Sequence, residues 1–270
     1  MVNPTPENAM RRLSLPLVIL VSVVIAACLT GYALAETPDR KDEAVTESHP
    51  LTPFRRIEIS GSAVVTLVQD TNGPLVTTLP PSAASQITVK VQKERLIIKV
   101  NDNARWWSDM FGRGPSGTPQ ITIHFKDLDG IDVAGVVRIS AKEIHVPELS
   151  IDGSGGTTIL IDDLRAGKLS VEGSGALKAE LAGQVTDQSI EISGAANYPA
   201  ARLLSDNASV EVSGAGKIVV NARKKLSASL SGAGVVEYIG DPVVKESVSG
   251  AGRIRRREAA ADVPRIAHAD

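Results

Sequence analysis

The feature that most constrains how this chain can fold is a unit of about 20 residues that recurs around a glycine. The equivalent glycines are Gly61, Gly135, Gly153, Gly173, Gly194, Gly214, Gly232 and Gly250. From Gly135 onward, successive glycines recur at intervals of roughly 18 to 21 residues. A unit of this length cannot bury its own apolar face, so successive units are expected to stack on one another.

The residues around each glycine alternate between apolar and polar with a period of two, which is typical of a β-strand. Two places before the glycine the residue is always aliphatic, as at Ile59 and Val133. Directly before the glycine it is Ser, Asp or Glu in seven of the eight copies. This alternation predicts that each repeat glycine faces inward, where it indicates a bend or a close approach of two backbones.

The repeat predicts an all-β fold, a single-stranded parallel β-helix (a solenoid) with about 18–21 residues in each coil. Coils of this length favour the right-handed form. At about 4.8 Å per strand step, eight coils would make a rod of roughly 40 Å. Between the first two glycines, Gln86 to Val100 predicts a strand pair and Gln120 to Phe125 a further strand, and both are expected to cap the first coil. The arginines of the segment 253–257 are expected to cap the last coil with charge.

Composition agrees with a core of stacked aliphatic side chains, because 43% of the residues are hydrophobic but only 3% are aromatic. The formal net charge of −2 gives no electrostatic reason to expect nucleic acid as a partner. A single cysteine excludes a disulfide framework and a cysteine-built zinc site.

The first 35 residues follow the order of a secretory signal, with Arg11 and Arg12 before a largely apolar run and Ala33-Leu34-Ala35 at its end. One interpretation is cleavage after Ala35. A second is lipidation of Cys28, since Ile25-Ala26-Ala27-Cys28 matches a bacterial lipobox, and a third is an uncleaved membrane span. All three predict export to the periplasm, the outer membrane or cell surface, or the extracellular space, and the last two attach the chain to a membrane through its N-terminus.

These patterns divide the chain into four parts. Residues 1–35 are expected to be a signal peptide, and the polar residues 36–50 a flexible linker. Residues 51–257 are expected to form the β-helix, and residues 258–270 a disordered tail.

The recurring Ile/Val-x-Ile/Val-Ser-Gly-Ala/Ser-Gly unit, on a chain with a signal, resembles the bacterial family called putative autotransporter adhesin, head GIN domain. The segment from Ile121 to Gly135, the tryptophan pair before it and the closing Gly250-Ala251-Gly252-Arg253-Ile254 are also similar to that family. The resemblance covers roughly Phe54 to Arg257. It implies a parallel β-helix exported to the cell envelope, often as a lipoprotein, and it implies no catalytic residues.

The sharpest pointer to a binding site is the cluster of Trp106, Trp107 and Phe111, in a segment rich in Asn, Gly and Pro. Tryptophans on a loop stack on sugar rings, insert at a membrane interface or anchor a protein contact. The structural alternative is a hydrophobic lid over the open end of the β-helix. The sequence leaves both interpretations open.

Carboxylates raise the alternative of a carbohydrate-active enzyme, a polysaccharide lyase or hydrolase. Asp127, Asp129 and Asp132 are close in sequence, and stacking would place Asp152 beside Glu172, a pair suited to Ca²⁺ or to acid–base chemistry. A solvated outer face explains the same residues, because neighbouring copies carry Ser at that place. The four histidines, His49, His124, His145 and His268, share no metal-ligand spacing, so the sequence predicts no metal site and no cofactor.

The function that these observations favour is a non-enzymatic, exported protein of the cell envelope, an adhesin or a binding or scaffold protein. Its regular surface is expected to bind an envelope glycan, a partner protein or further copies of the chain. The alternatives are the carbohydrate-active enzyme and a purely structural envelope spacer. The sequence does not identify the partner.

Overall fold

The structure is a computed structural model that describes residues 45–70, 73–79, 87–100 and 118–258. The predicted signal peptide with Cys28, the aromatic cluster of Trp106, Trp107 and Phe111, and residues 259–270 lie outside the described residues. The described part is all-β and contains no helix, as the alternation predicted. It accordingly holds no helix long and apolar enough to cross a membrane.

Nine strands make up the described part of the chain and belong to one sheet. They are β1 (Val45–His49), β2 (Arg56–Gln69), β3 (Leu75–Leu79), β4 (Ile87–Gln92), β5 (Arg95–Val100), β6 (Gln120–Phe125), β7 (Gly130–Ile239), β8 (Val243–Gly250) and β9 (Arg253–Arg256).

Strand β7 turns back on itself many times. It contains 110 residues, and at about 3.3 Å per residue a straight strand of that length would be several hundred ångströms long. Its first turn pairs in parallel with β2, with Gly135 opposite Gly61. Its last part pairs in parallel with β8, with Gly232 opposite Gly250. Between these ends, side chains bond across intervals of one coil, as from Asn221 to the carbonyl oxygen of Ala201, 3.2 Å away and 20 residues earlier.

A ladder of eight stacked glycines marks the same corner in every coil. Each has a φ between 100° and 146°, in the left-handed region that favours glycine. From the second glycine onward, the place that a Cβ atom would occupy lies against the backbone of the glycine one coil earlier. The glycine ladder consists of Gly61, Gly135, Gly155, Gly175, Gly194, Gly214, Gly232 and Gly250.

The assignment of Gly153 and Gly173 as repeat glycines is wrong, because each lies two places before the ladder position of its coil. The ladder passes instead through Gly155 and Gly175, which makes the intervals between its glycines more nearly equal. Gly153 and Gly173 are buried at inward positions that aliphatic residues occupy in other coils. A shift of two places keeps the same face of a strand inward, so the alternation alone could not separate the two choices.

Aliphatic columns parallel to the glycine ladder form the core. Four residues before the ladder glycines lie Ile57, Ile131, Ile151, Val171, Ile190, Val210 and Ala228, all buried. Four residues after them lie Val65, Ile139, Ile159, Ala179, Tyr198, Ile218 and Val236, all with no exposed surface. Tyr198 is the one aromatic of this column, and burial raises the pKa of its hydroxyl. The small Ala179 occupies the same place one coil earlier.

Five strands, β1, β3, β4, β5 and β6, cover the N-terminal end of the stack. β2 lies between the first turn of β7 and a layer made of β5 and β6, both parallel to it. Antiparallel strands then close this layer, β4 beside β5 and β3 beside β6. The predicted strand pair of Gln86 to Val100 and the predicted strand of Gln120 to Phe125 are both confirmed, as β4 with β5 and as β6.

The predicted flexible linker of residues 36–50 is wrong over its last residues. Val45–His49 form β1, which pairs antiparallel with β3, from Val45 opposite Leu79 to His49 opposite Leu75. The folded part therefore includes Val45–His49, whereas the sequence predicted that it would begin at position 51. Polar residues are suited to an edge strand because one side of it faces water, and this is why the segment had the composition of a linker.

The C-terminal coil, β8 and β9, pairs with β7 alone. Charged residues occupy two of its inward positions, Glu246 in register with the buried Ala228 and Arg256 in register with Tyr238. Inward-pointing charges prevent another strand from extending a sheet edge. The last coil thus ends the core with charge, which is the role expected for the arginines near position 255.

Candidate functional site

The glycine ladder places a column of carboxylates on the outer face of the stack. Three residues before each of the first six ladder glycines the residue is Asp or Glu, and in the last two coils it is Ser229 and Ser247. The strand register shows the first step directly, with Glu58 opposite Asp132. We call this column the carboxylate ladder: Glu58, Asp132, Asp152, Glu172, Glu191 and Glu211. At about 4.8 Å per coil it extends over roughly 24 Å.

Serine rows flank the carboxylate ladder on both sides. One residue before the ladder glycines the side chain is Ser in all coils but that of Ala134. Five residues before them lie Ser150, Ser170, Ser189, Ser209 and Ser227, followed by Lys245. Because alternate residues of a strand share a face, all three rows point outward together. The result is a flat, repetitive polar face.

Arginines bind the carboxylate ladder at its N-terminal end. The Arg56 guanidinium lies 3.0 Å from the nearer Asp132 carboxylate oxygen, and Arg95 lies 3.2 Å from Glu58 and 3.3 Å from Asp132. Next to them, Arg55 donates two hydrogen bonds of 2.7 Å to Asp129. These hydrogen bonds lower the pKa of the Asp129 carboxyl.

The predicted pair of Asp152 and Glu172 does lie on adjacent rungs of the carboxylate ladder, and Asp132 is the rung before them. Both side chains of the pair are exposed. The predicted Asp127–Asp132 cluster separates, because Asp129 bonds Arg55 whereas Asp132 bonds Arg56 and Arg95. Within the described residues, no group of three or more His, Cys, Asp or Glu side chains is arranged to hold a metal ion.

A groove of about 520 Å³ runs along the stack beside the serine row. Its first wall is the row seven residues before the ladder glycines, Lys168, Asp187, Asn207, Lys225 and Val243. Its second wall is the row of Ser189, Ser209, Ser227 and Lys245. The residues between the two walls, among them Ala208 and Leu226, form the floor. The groove crosses five coils, so it is about 19 Å long and lies at right angles to the strands.

Most polar groups along the first wall of the groove are bound to a neighbour. The Asn207 amide donates a 2.7 Å hydrogen bond to Asp187, and the Lys168 ammonium lies 3.3 Å from Glu148. Lys225 and Lys245, in contrast, make no ion pair or hydrogen bond within the described part of the chain. The accessible lining of the groove is mostly carbon.

A buried carboxylate ties the last coil to the stack. Glu237 is 4% exposed and accepts a hydrogen bond of 3.0 Å from Arg255 Nε as well as a shorter one from its Nη2. The Lys217 ammonium lies 3.4 Å from the same carboxylate, and Arg257 lies 3.5 Å from it. The hydrogen bond from Arg255, followed by that from Lys217, lowers the pKa of the Glu237 carboxyl.

The segment that carries Trp106, Trp107 and Phe111 is attached at the glycine corner of the N-terminal layer. β5 pairs with β2 up to Lys99 opposite Ser60, and β6 begins with Gln120 opposite Val64. Positions 61–63 of β2 thus span the corner, whereas positions 100–119 separate the paired ends of β5 and β6 in sequence. The aromatic cluster belongs to this sequence interval and lies outside the described residues.

Three of the histidines lie beside carboxylates in the N-terminal part of the described fold. His124 Nδ1 lies 2.8 Å from Asp70, and His145 Nε2 lies 3.5 Å from Asp163. His49 lies in β1, 3.5 Å from Glu47. These histidines are distributed over separate strands, so they form no shared site.

The comparisons with known proteins agree with this architecture. A family model described as putative auto-transporter adhesin, head GIN domain, matches residues 53–242. The chain belongs to this family. The match begins just before β2 and ends between β7 and β8, so it includes the glycine ladder up to Gly232 and every rung of the carboxylate ladder. No curated protein matches the chain.

Several solved structures share the fold. A putative adhesin from Bacteroides fragilis NCTC 9343 is 23% identical, with a TM-score of 0.70 over 79% of this chain and 97% of that chain. A putative adhesin from Parabacteroides distasonis ATCC 8503 is 18% identical, with a TM-score of 0.59 over 79% and 97% of the two chains. From the same organism, a structure described as a putative lipid binding protein is also 18% identical, with a TM-score of 0.59 over 80% and 97%.

Sequence reasoning missed the carboxylate ladder and the groove. With Gly153 and Gly173 as the repeat glycines, Asp152 and Glu172 were aligned with the serines that directly precede the other glycines. The acidic column and the serine column were therefore not recognised as separate. The signal was present, since Ser-x-Glu-x-Ser recurs at Ser170, Ser189 and Ser209. Aligning the copies on this motif would have placed the ladder at Gly155 and Gly175.

Proposed function

We propose that this member of the head GIN family is a non-enzymatic, exported protein of the cell envelope that acts as an adhesin or as a binding scaffold. The observation that carries the proposal is the polar face formed by the carboxylate ladder and its two serine rows. Its groups recur from coil to coil over most of the stack, which suits an extended partner with a repeating surface, such as an envelope glycan or a second protein. A purely structural spacer would not need such a regular face.

The architecture that we propose is a right-handed parallel β-helix. Parallel pairing at both ends of β7, stacked glycines and a nearly constant interval between them support the winding. The coil length supports the right hand. A crystal structure of the chain at ordinary resolution would show the hand directly, and a left-handed coil would contradict this part of the proposal.

The partners and positions of the carboxylates favour binding over catalysis. A general acid needs a raised pKa, whereas hydrogen bonds from Arg55 lower the pKa of Asp129. Asp132 is bound by two arginines, and Asp152 and Glu172 stand on an open face rather than converging in a cleft. The carbohydrate-active alternative predicts that the chain cleaves acidic or neutral polysaccharides, and that Glu172→Gln removes the activity.

Export is supported by the order of charges, apolar run and Ala33-Leu34-Ala35 near the N-terminus, and by the adhesin family. We propose that residues 1–35 direct the chain across the inner membrane. Mass spectrometry of the mature N-terminus distinguishes cleavage before Glu36 from a lipidated Cys28 and from an uncleaved anchor. A mature chain recovered from the cytoplasm with its apolar N-terminal run intact would contradict export.

We further propose that Trp106 and Trp107 contribute to partner binding at the corner where their segment is attached. The test is a pull-down from envelope extract with wild-type chain, with Trp106→Ala/Trp107→Ala, and with the control Val136→Ala. Val136 is 66% exposed and lies beside the ladder glycine Gly135, in the first turn of β7. Its replacement by Ala therefore tests the effect of removing exposed apolar surface in general. We expect only the tryptophan variant to lose envelope material while its denaturation midpoint is unchanged. If that variant unfolds, the result would instead support the interpretation that the tryptophans form a hydrophobic lid.

A further inference from the structure

The groove beside the serine row has the dimensions of a ligand site. Binding sites for small ligands have volumes of about 300–1,000 Å³, are mostly apolar and carry a few placed polar groups. The groove has about 520 Å³ and a lining that is mostly carbon. Its length of about 19 Å across five coils suits an extended chain better than a compact molecule.

The groove is apolar in spite of its polar residue types because most of their charged and amide groups are engaged elsewhere. Asp187 and Asn207 bond each other at 2.7 Å, and Lys168 pairs with Glu148 outside the groove lining. The aliphatic part of a lysine side chain covers apolar surface while its ammonium group stays in water. The middle of the groove therefore offers carbon to a ligand and little hydrogen bonding.

One end of the groove carries two cations that have no partner among the described residues. Lys225 is directly opposite Val243 on the next strand, and Lys245 is directly opposite Ser227. One strand step and two residues separate the two lysines, which places their Cα atoms about 8 Å apart. One anionic group between them can reach both ammonium groups. Val243 beside them is 78% exposed, so apolar surface and positive charge meet at the same end.

We propose that this groove binds the acyl chain of an anionic single-chain amphiphile, in the simplest case a long-chain fatty acid, with its carboxylate between Lys225 and Lys245. The acyl chain lies along the stack, from the lysine pair toward Asn207 and Asp187. Charge complementarity fixes its direction, because the carboxylate ladder beside the groove ends at Glu211 and gives way to Ser229 and Ser247 near the lysine pair. This assignment rests on the proposed binding role and gives one ligand class to the same outer face.

The test is binding of palmitate to the purified full-length chain, measured by displacement of a fluorescent fatty acid. We expect one saturable site. Methyl palmitate has the same chain without the charge, and it should bind about tenfold more weakly, as expected when two exposed ion pairs are lost. Lys225→Glu/Lys245→Glu should weaken palmitate to a similar or greater extent. Ser209→Phe, which places a ring between the walls of the groove, should abolish binding.

The matched control is Lys142→Glu/Lys178→Glu, which reverses two exposed lysines outside the groove. All variants retain the apolar N-terminal run. Any palmitate bound by that run contributes equally to every variant, so it does not affect the differences in binding between them. The proposal is overturned if wild type binds no palmitate, if the groove and control variants bind alike, or if an acidic hexasaccharide displaces the probe from the groove. If the chain binds no palmitate but still binds envelope material in the pull-down, the proposed binding function stands and only the assignment of a fatty acid to the groove is wrong.

Discussion

The carbonyl oxygen of Gly155 lies 2.7 Å from the point that a Cβ atom would occupy on Gly175. Real Cβ atoms do not approach a backbone oxygen so closely, so the two coils could not stack at this separation with any other residue at position 175. Gly175 also has a φ of 116°, which L side chains rarely adopt. The glycine ladder is thus required by both the contact between coils and the local backbone.

The first prediction concerns this requirement. Gly175→Ala should lower the free energy of unfolding by about 1–3 kcal/mol, because the methyl group meets a neighbouring backbone and the left-handed conformation becomes strained. Gly156→Ala is the matched control, since its Cβ position lies 3.7 Å from Val136 and its φ is not in the left-handed region. Urea denaturation measures both. Equal midpoints for the two variants would contradict a ladder through Gly175.

The second prediction concerns the carboxylate that holds the last coil. Hydrogen bonds from Arg255 lower the folded-state pKa of Glu237, so its contribution to stability is present above the unfolded pKa and is lost as pH falls through the folded value. Glu237→Gln should therefore destabilise the fold by about 1–3 kcal/mol at pH 7 and by much less near pH 3. Urea denaturation at the two pH values, with hydrogen exchange of β8 and β9, measures the effect.

Asp162→Asn serves as the control for Glu237, because Asp162 is exposed and makes no ion pair within the described residues. Its removal should leave the pH dependence as in the wild type. A Glu237→Gln variant with the full wild-type loss of stability between pH 7 and pH 3 would show that Arg255 and Lys217 do not act through this carboxylate.

The third prediction concerns repulsion within the carboxylate ladder. Glu191 lies between Glu172 and Glu211, and like charges directly opposite on neighbouring strands are destabilising by a few tenths of a kcal/mol. Glu191→Gln should raise stability by about 0.2–1 kcal/mol at low ionic strength, and the gain should disappear near 1 M salt, where the Debye length is about 3 Å.

The control for this gain is Glu143→Gln, which removes an exposed carboxylate outside the ladder. It should change stability little at any salt concentration. A loss of stability in Glu191→Gln that persists at high salt would indicate that the carboxylate has a cation or a hydrogen-bond donor as its partner.

The fold was largely predictable because each coil repeats the same alternation. Ile59 and Val133 indicated an inward face, and the regular interval between glycines indicated stacking. The choice between Gly153 and Gly155 was not predictable from alternation, since the two positions have the same parity. In the structure Gly153 is buried, whereas Gly155 is exposed at the corner and does not face inward as expected. What separates them is a left-handed φ at Gly155 and the stacking of its backbone on Gly135, and both depend on the neighbouring coil.

The candidate site was less predictable for physical reasons. The first wall of the groove is formed by Lys168, Asp187, Asn207, Lys225 and Val243, which follow one another at intervals of one coil and include basic, acidic, amide and apolar side chains. Its apolar character arises from pairs such as Asp187 with Asn207, which no single-sequence pattern reveals. β1 was missed in a similar way, since its pairing with β3 depends on a strand that comes much later in the chain.

The glycine ladder also determines how chains of this kind can change length in evolution. Because every coil presents the same backbone corner to the next, a duplicated or deleted stretch of one whole coil leaves both new neighbours matched. Differences of one or two residues in coil length are accommodated between ladder glycines, and a long insertion is accommodated where the chain leaves and returns at one place, as between Lys99 and Gln120. Gene duplication can therefore lengthen the carboxylate ladder one rung at a time, and a long loop can be added at a corner.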